Sequence, residues 1–233
     1  MPVYLYWGEE EFNLSNAVTE LRNKTVSSEW ASLNHKILTD PDIKELIEVL
    51  QTPSLMFGDI LIEIKDSTLF LRGSKKNTAD EDKIKKLINI LENLSNNIHV
   101  LFICHIPRNS GKKVDSVLKI TKTVAKVGKI VEFPQFKSYN EREMVSWITN
   151  QSASKGAKIS NEAALLLFKN FGTDLRKMDS ELEKLITYIL PRNSITKADI
   201  DLLCSAEQEN IFNFSDYLLE NNEYMCITNN NNV

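Results

Sequence analysis

The spacing of apolar residues changes character along the chain, and those changes predict its elements. Val3 to Trp7 (VYLYW) is a short β-branched and aromatic run halted at Gly8, which predicts a buried strand. Phe12, Leu14, Ala17, Val18 and Leu21 then recur at helical spacing. His35 to Leu38 predicts a second strand, ended by Asp40-Pro41, where Asp40 is placed to cap a helix carrying Ile43, Leu46, Ile47 and Leu50. Ile60 to Lys65 (ILIEIK) predicts a third strand, after a loop from Gln51 to Asp59. A polar stretch from Arg72 to Asp82 reads as loop, and Ile84, Leu87, Ile88, Leu91 and Leu94 mark the next helix. His99 to Cys104 is a continuous apolar strand, Val114 to Val127 reads as helix, and Lys129 to Phe133 is a last strand before Pro134.

Strands that alternate with helical segments imply βαβ units and a parallel sheet covered by helices on both faces. The expected fold class is therefore α/β, with the first domain spanning 1–137. Beyond it the strand signal disappears. Asn140 with Glu143 predicts a capping box, Ser160 a second helix start, and Thr173 precedes a third helix with Leu175, Met178, Leu182, Leu185 and Ile189 on one stripe. Thr196 with Asp199 starts a further short helix. Residues 138–208 are thus expected to form a small helical bundle. From Ile211 to Leu219 an apolar helical pattern begins and gives way to Asn-rich sequence, so 209–233 reads as a domain that starts and does not finish.

Composition sharpens this outline. Of 233 residues 42% are hydrophobic and 26% charged, with only 7 Gly and 6 Pro, as expected of a folded chain rich in helix. A net charge of −4 argues against a protein that coats DNA, because phosphate neutralisation draws on a cationic excess, so any nucleic-acid contact is expected to be local or shared with partners. Cys104, Cys204 and Cys226 are scattered and make no metal or disulfide pattern. With no secretory signal and no apolar run of the roughly 18 residues that a membrane span needs, the expected location is cytoplasmic.

A doubly wound sheet invites a phosphate loop after its first strand, G-x-x-x-x-G-K-[ST]. Here the chain reads Gly8-Glu9-Glu10-Glu11, and carboxylates at that helix start would repel a triphosphate. Ser110-Gly111-Lys112-Lys113 follows the wrong strand and lacks the rest of the motif, and HVLFIC ends without an acidic pair for magnesium. His35, His99 and His105 share no ligand spacing. The expectation is no cofactor, no metal and no catalytic residue.

Two features suggest contacts instead. Thr52 to Asp59 sets Leu55, Met56 and Phe57 between Pro53 and Gly58, inside a predicted loop. These side chains either plug the end of the sheet or form an apolar wedge for a partner's pocket. Arg108, Lys112, Lys113, Lys119, Lys122, Lys126 and Lys129 face only Asp115 in their stretch. Lys119, Lys122, Lys126 and Lys129 are expected along one helix face, either solvated or set against DNA or an acidic partner.

The opening strand followed by Gly8-Glu9-Glu10, the segment Gln51 to Ile64 and the run Gly128 to Phe133 resemble the delta-subunit family of the bacterial DNA polymerase III clamp loader. So do Trp147-Ile148, Lys155 to Ser160 with Ala163-Ala164, and Gly172 to Arg176 leading into Glu181 to Leu185. The resemblance implies an AAA+-like first domain without a nucleotide site, a helical lid, and the start of a helical collar at 209–233. It also implies a non-enzymatic subunit of the DNA-directed DNA polymerase holoenzyme that binds and opens the sliding clamp (beta subunit) beside gamma/tau and delta-prime subunits. DNA would be met through the assembled complex. The wedge role falls on Leu55, Met56 and Phe57, with Phe57 before Gly58 the firmest match. Family members continue further into the collar, so this chain is expected to fold two domains, touch the clamp and assemble poorly. The competing expectation is a DNA-binding or scaffold protein built on a degenerate ATPase fold.

Overall fold

In the computed structural model, residues 2–52, 58–74 and 81–203 are described. The chain divides into two compact units, Met1–Gln135 and Phe136–Val233.

The first unit is a five-stranded, wholly parallel sheet in the order β2-β3-β4-β1-β5. Its strands are β1 (Val3–Gly8), β2 (His35–Thr39), β3 (Ile60–Lys65), β4 (Ile98–His105) and β5 (Gly128–Phe133). The helices are α1 (Glu11–Thr25), α2 (Ala31–Asn34), α3 (Ile43–Gln51), α4 (Glu81–Glu92) and α5 (Lys119–Val127). Strand alternation divides the core. Val3, Leu5, Ile62, Ile64, Val100 and Phe102 turn to one face, against Ile43, Leu46 and Ile47 of α3, Leu87 and Leu91 of α4, and Ile120 and Val124 of α5. Tyr6, Leu61, Leu101 and Ile103 turn to the other, against Leu14, Val18 and Leu21 of α1. The inner strands β3 and β4 are buried on both faces, which explains their unbroken apolar runs. This is the doubly wound, AAA+-like α/β class.

Two local expectations are corrected. Asp40 does not cap α3: it turns out of β2 with φ 45° and donates its N–H to Lys65 O, while Asp42 caps α3 through Glu45 N–H at 2.7 Å. Residues 114–118 are not helical. Val114 forms an antiparallel bridge with Leu71, and Asp115 N–H donates to Phe70 O at 2.9 Å, so their backbone is committed elsewhere and α5 starts only at Lys119.

The second unit packs α6 (Glu141–Ser154), α7 (Asn161–Phe171) and α8 (Leu175–Ile189), followed by helical residues 197–203. Met144, Ile148, Ala164, Leu167, Met178, Leu182 and Leu185 are buried in it. Ser160 and Asp174 cap α7 and α8 through Ala163 N–H and Lys177 N–H, whereas Asn140 stands at the start of α6 without a side-chain cap bond. The unit is not purely helical: β6 (Lys158–Ile159) pairs in parallel with β7 (Ser194–Ile195). Strands of two residues are too short to show an alternation.

Candidate functional site

In an open α/β sheet, ligands settle outside the carboxyl ends of the strands where neighbouring connections leave towards opposite faces. Here that place is between β1, whose chain leads to α1, and β4, whose chain leads to α5 on the other face. Gly8 ends β1 with φ 150°, and a Cβ there would come 2.0 Å from Phe133 O, so only glycine lets the backbone pass. Glu10 then donates its N–H to Phe133 O at 3.0 Å, and Ile106 donates to Gly8 O at 2.9 Å. The Glu10 carboxylate is 2% exposed, accepts Phe12 N–H at 3.2 Å, and lies 3.9 Å from the Arg108 guanidinium. A negative group of the chain itself therefore stands at the N-terminus of α1, where a bound phosphate would complement the helix dipole.

Leu55, Met56 and Phe57 lie outside the described residues. The end of α3 and the start of β3 flank them. Thr52 ends α3 with its N–H on Glu48 O and Val49 O and its hydroxyl on Glu48 O at 2.8 Å. Gly58 has φ 92°, and Ile60 opens the buried strand β3 with its N–H on Asn97 O at 2.8 Å. Asp59 borders a hollow of about 680 Å³ at the amino ends of the strands, floored by Tyr4, Tyr6 and His99. Burial pushes the Tyr4 and Tyr6 hydroxyls above their usual pKa and His99 below its own, the latter partly offset by Asp59.

The expected lysine row does not form one face. Lys119, Lys122 and Lys126 lie on the exposed side of α5, and Lys126 pairs with Glu92 of α4 at 3.1 Å. Lys129 belongs to β5 and lines the hollow on the α1 face of the sheet, opposite α5. The helix ends at Val127, and strand alternation turns Lys129 the same way as Val131 and Phe133.

No nucleophile is prepared among the described residues. Burial, with Asp66 contributing, pushes the Cys104 thiol up to about 11, so it stays protonated. No His, Cys, Asp and Glu grouping there could hold a metal ion. One buried cluster escaped the sequence reading. Glu63, 0% exposed on β3, takes Arg22 through two bonds of 2.9 and 3.1 Å and lies 2.8 Å from His35 Nε2. The signal was present, a single acid in the apolar run ILIEIK.

The order of the strands, the α1 connection and the filled crevice together define a P-loop-type fold of the AAA+ class whose phosphate position is taken by protein. The chain belongs to the family described as DNA polymerase III, delta subunit, whose model matches residues 4–134. Among its relatives are the DNA polymerase III subunit delta of Bacillus subtilis, 26% identical over 214 residues, and the probable DNA polymerase III subunit delta of Aquifex aeolicus, 24% identical over 225 residues. These matches cover 91% and 93% of this chain and 59% of each relative, so the chain spans under two thirds of their length. The solved structure of the Bacillus subtilis DNA clamp loader delta protein superposes on 100% of the chain and 67% of its own length, with a TM-score of 0.71 at 20% identity.

Proposed function

We propose that this chain binds the sliding clamp and helps to open it, acting without nucleotide chemistry of its own. Family membership supports the first part. The observation that carries the second is Glu10, whose carboxylate fills the place of a phosphate at the α1 N-terminus. On this reading ATP is hydrolysed by neighbouring gamma/tau subunits, with delta-prime completing the loader, and this subunit works in the cytoplasm as a driven lever. The domain at 1–137 carries the clamp contact, 138–208 is the lid, and 209–233 leads towards a collar.

The clamp contact falls to Leu55, Met56 and Phe57. They join two fixed ends, the closed C-terminus of α3 and the start of β3. Binding energy gained there is delivered to β3, which is hydrogen-bonded on both sides within the sheet. It shifts the clamp towards an open interface only to the extent that the wedge prefers the open form over the closed one.

Truncation of all three residues, Leu55→Ala, Met56→Ala and Phe57→Ala, is expected to lower clamp affinity by 100-fold or more, on the order of the ~3 kcal/mol lost with hot-spot side chains. The melting temperature should stay within a degree or two of wild type. A variant that binds the clamp normally would sink the assignment, and one that merely unfolds would make these side chains core.

A further inference from the structure

The two faces of the sheet are covered unequally. Among the described residues three helices, α3, α4 and α5, pack on one face and α1 on the other. Beside α1 the strands β1, β4 and β5 leave the hollow of about 680 Å³, floored by Tyr4, Tyr6 and Phe133 and walled by Ala17 and Leu21 of α1. The rings hold one another in place. Tyr6 meets Phe133 edge-on at 5.6 Å and Tyr4 edge-on at 6.3 Å, and Tyr4 stacks on His99 at 6.4 Å. The hollow is thus shaped within the first unit, by one helix and three strands, and needs no partner to form.

Its rim is charged and balanced. Glu20 and Lys24 stand on α1, Asp59 just before β3 and Lys129 on β5, two acids against two bases. Among the described residues no ion pair occupies any of the four. Such a rim favours neither a polyanion nor a polycation. An apolar, largely aromatic floor inside a polar rim is the make-up of a socket in a protein interface, where a buried anchor supplies the energy and the rim keeps water out. The hollow also has a neighbour. Asp59 follows Phe57 by two residues, and two residues of chain reach at most about 7 Å. A partner held by the wedge therefore lies beside this rim.

We propose that this hollow is a second socket for the sliding clamp, taking apolar side chains of a clamp segment next to the one that the wedge enters. The inference rests on the clamp reading of Leu55, Met56 and Phe57 for the identity of the partner. What the second point adds is direction. A single contact leaves the partner free to swivel about it. Two contacts, one before β3 and one on the α1 face of β1 and β5, fix an orientation, and a lever needs that to act on the clamp interface. The two bind as parts of one ligand, so losing either weakens the whole. Because the charges of the rim cancel, the socket acts on the lifetime of the complex more than on its rate of formation.

The test is biolayer interferometry of the full chain on its immobilised clamp, with the hollow filled in two ways. Ala17 is half-buried on its wall. Ala17→Phe occupies the space with an apolar ring. Ala17→Lys occupies it with a chain whose ammonium reaches solvent, a change that a helix surface tolerates. Each should lower clamp affinity about 10-fold or more, the mark of a hot-spot contact, through faster dissociation and with an unchanged melting temperature. Asn16→Lys, exposed on α1 and outside the hollow, should bind like wild type. The wedge triple variant, measured beside these, separates the two readings. Loss of binding there, with wild-type affinity in both Ala17 variants, overturns the socket alone; a wild-type chain that ignores the clamp overturns both. Normal clamp binding by the Ala17 variants with failed assembly with gamma/tau subunits would make the hollow a loader contact and overturn the proposal. An Ala17→Lys chain that melts several degrees lower would show that the chain itself fills the hollow, and overturns it equally.

Discussion

Individual side chains settle how the ends of elements are held. The sequence pointed to Asp40 as the cap of α3; what excludes it is its left-handed backbone and its bond to Lys65 O, a contact with a distant strand. Asp199 was readable because its partner Thr196 is local: Thr196 donates its N–H and its hydroxyl to the carboxylate, both at 2.8 Å. Arg192, also at 2.8 Å, is the largest influence holding that carboxyl below the usual pKa, with the Thr196 N–H next. A depressed carboxylate stabilises the fold above its unfolded pKa of about 3.9, and that contribution fades as the pH falls through the folded value. Asp199→Asn should therefore lower stability at pH 7 by about 1 kcal/mol, the scale of a lost cap. In thermal melts the gap between variant and wild type should narrow below pH ~4; a gap that is constant from pH 7 to 3 would contradict this.

At the scale of elements, period and length decided what could be read. The five strands and the longer helices follow from apolar spacing, because each buries a face against the sheet or a neighbouring helix. The start of α5 was not legible, since Val114 is drawn into a bridge with Leu71, a residue some forty positions earlier in the chain. Lys129 was misplaced for the same reason: a helix face extended past Val127 predicts a row, whereas the strand sends that side chain to the α1 face. Glu63 shows the opposite case, visible as a misfit in an apolar strand and explained only by Arg22 of α1 and His35 of β2. The cluster ties three elements together. Glu63→Ala, which leaves Arg22 a third exposed but without its carboxylate, should cost about 2–3 kcal/mol in denaturant unfolding. Replacing the pair together, Arg22→Met with Glu63→Leu, should recover most of that loss; a double variant as unstable as Glu63→Ala would show that the cluster acts in some other way.

At the scale of the whole molecule, the sheet retains the architecture of a nucleotide-binding fold while its phosphate position is filled from within. Gly8 lets the chain pass Phe133, and Glu10 supplies the negative charge that the α1 N-terminus would otherwise take from a ligand. The missing motif was legible directly, because a phosphate loop is a local string. The meeting of loops 68–74 and 111–116 around one hollow was not, because Arg72 and Lys112–Lys113 lie about forty residues apart and come together only when β3 and β4 pair. The family resemblance was carried by the order of many soft motifs, and the match over residues 4–134 bears it out. Leu55, Met56 and Phe57 stay a proposal resting on that family and on their two fixed anchors.

The most direct measurement is calorimetric titration of this chain with its own sliding clamp, repeated with ATP in both solutions. The account predicts saturable clamp binding that ATP leaves unchanged, and no heat when ATP alone is titrated into the chain. A folded chain that ignores the clamp, or one that binds ATP saturably, would contradict it.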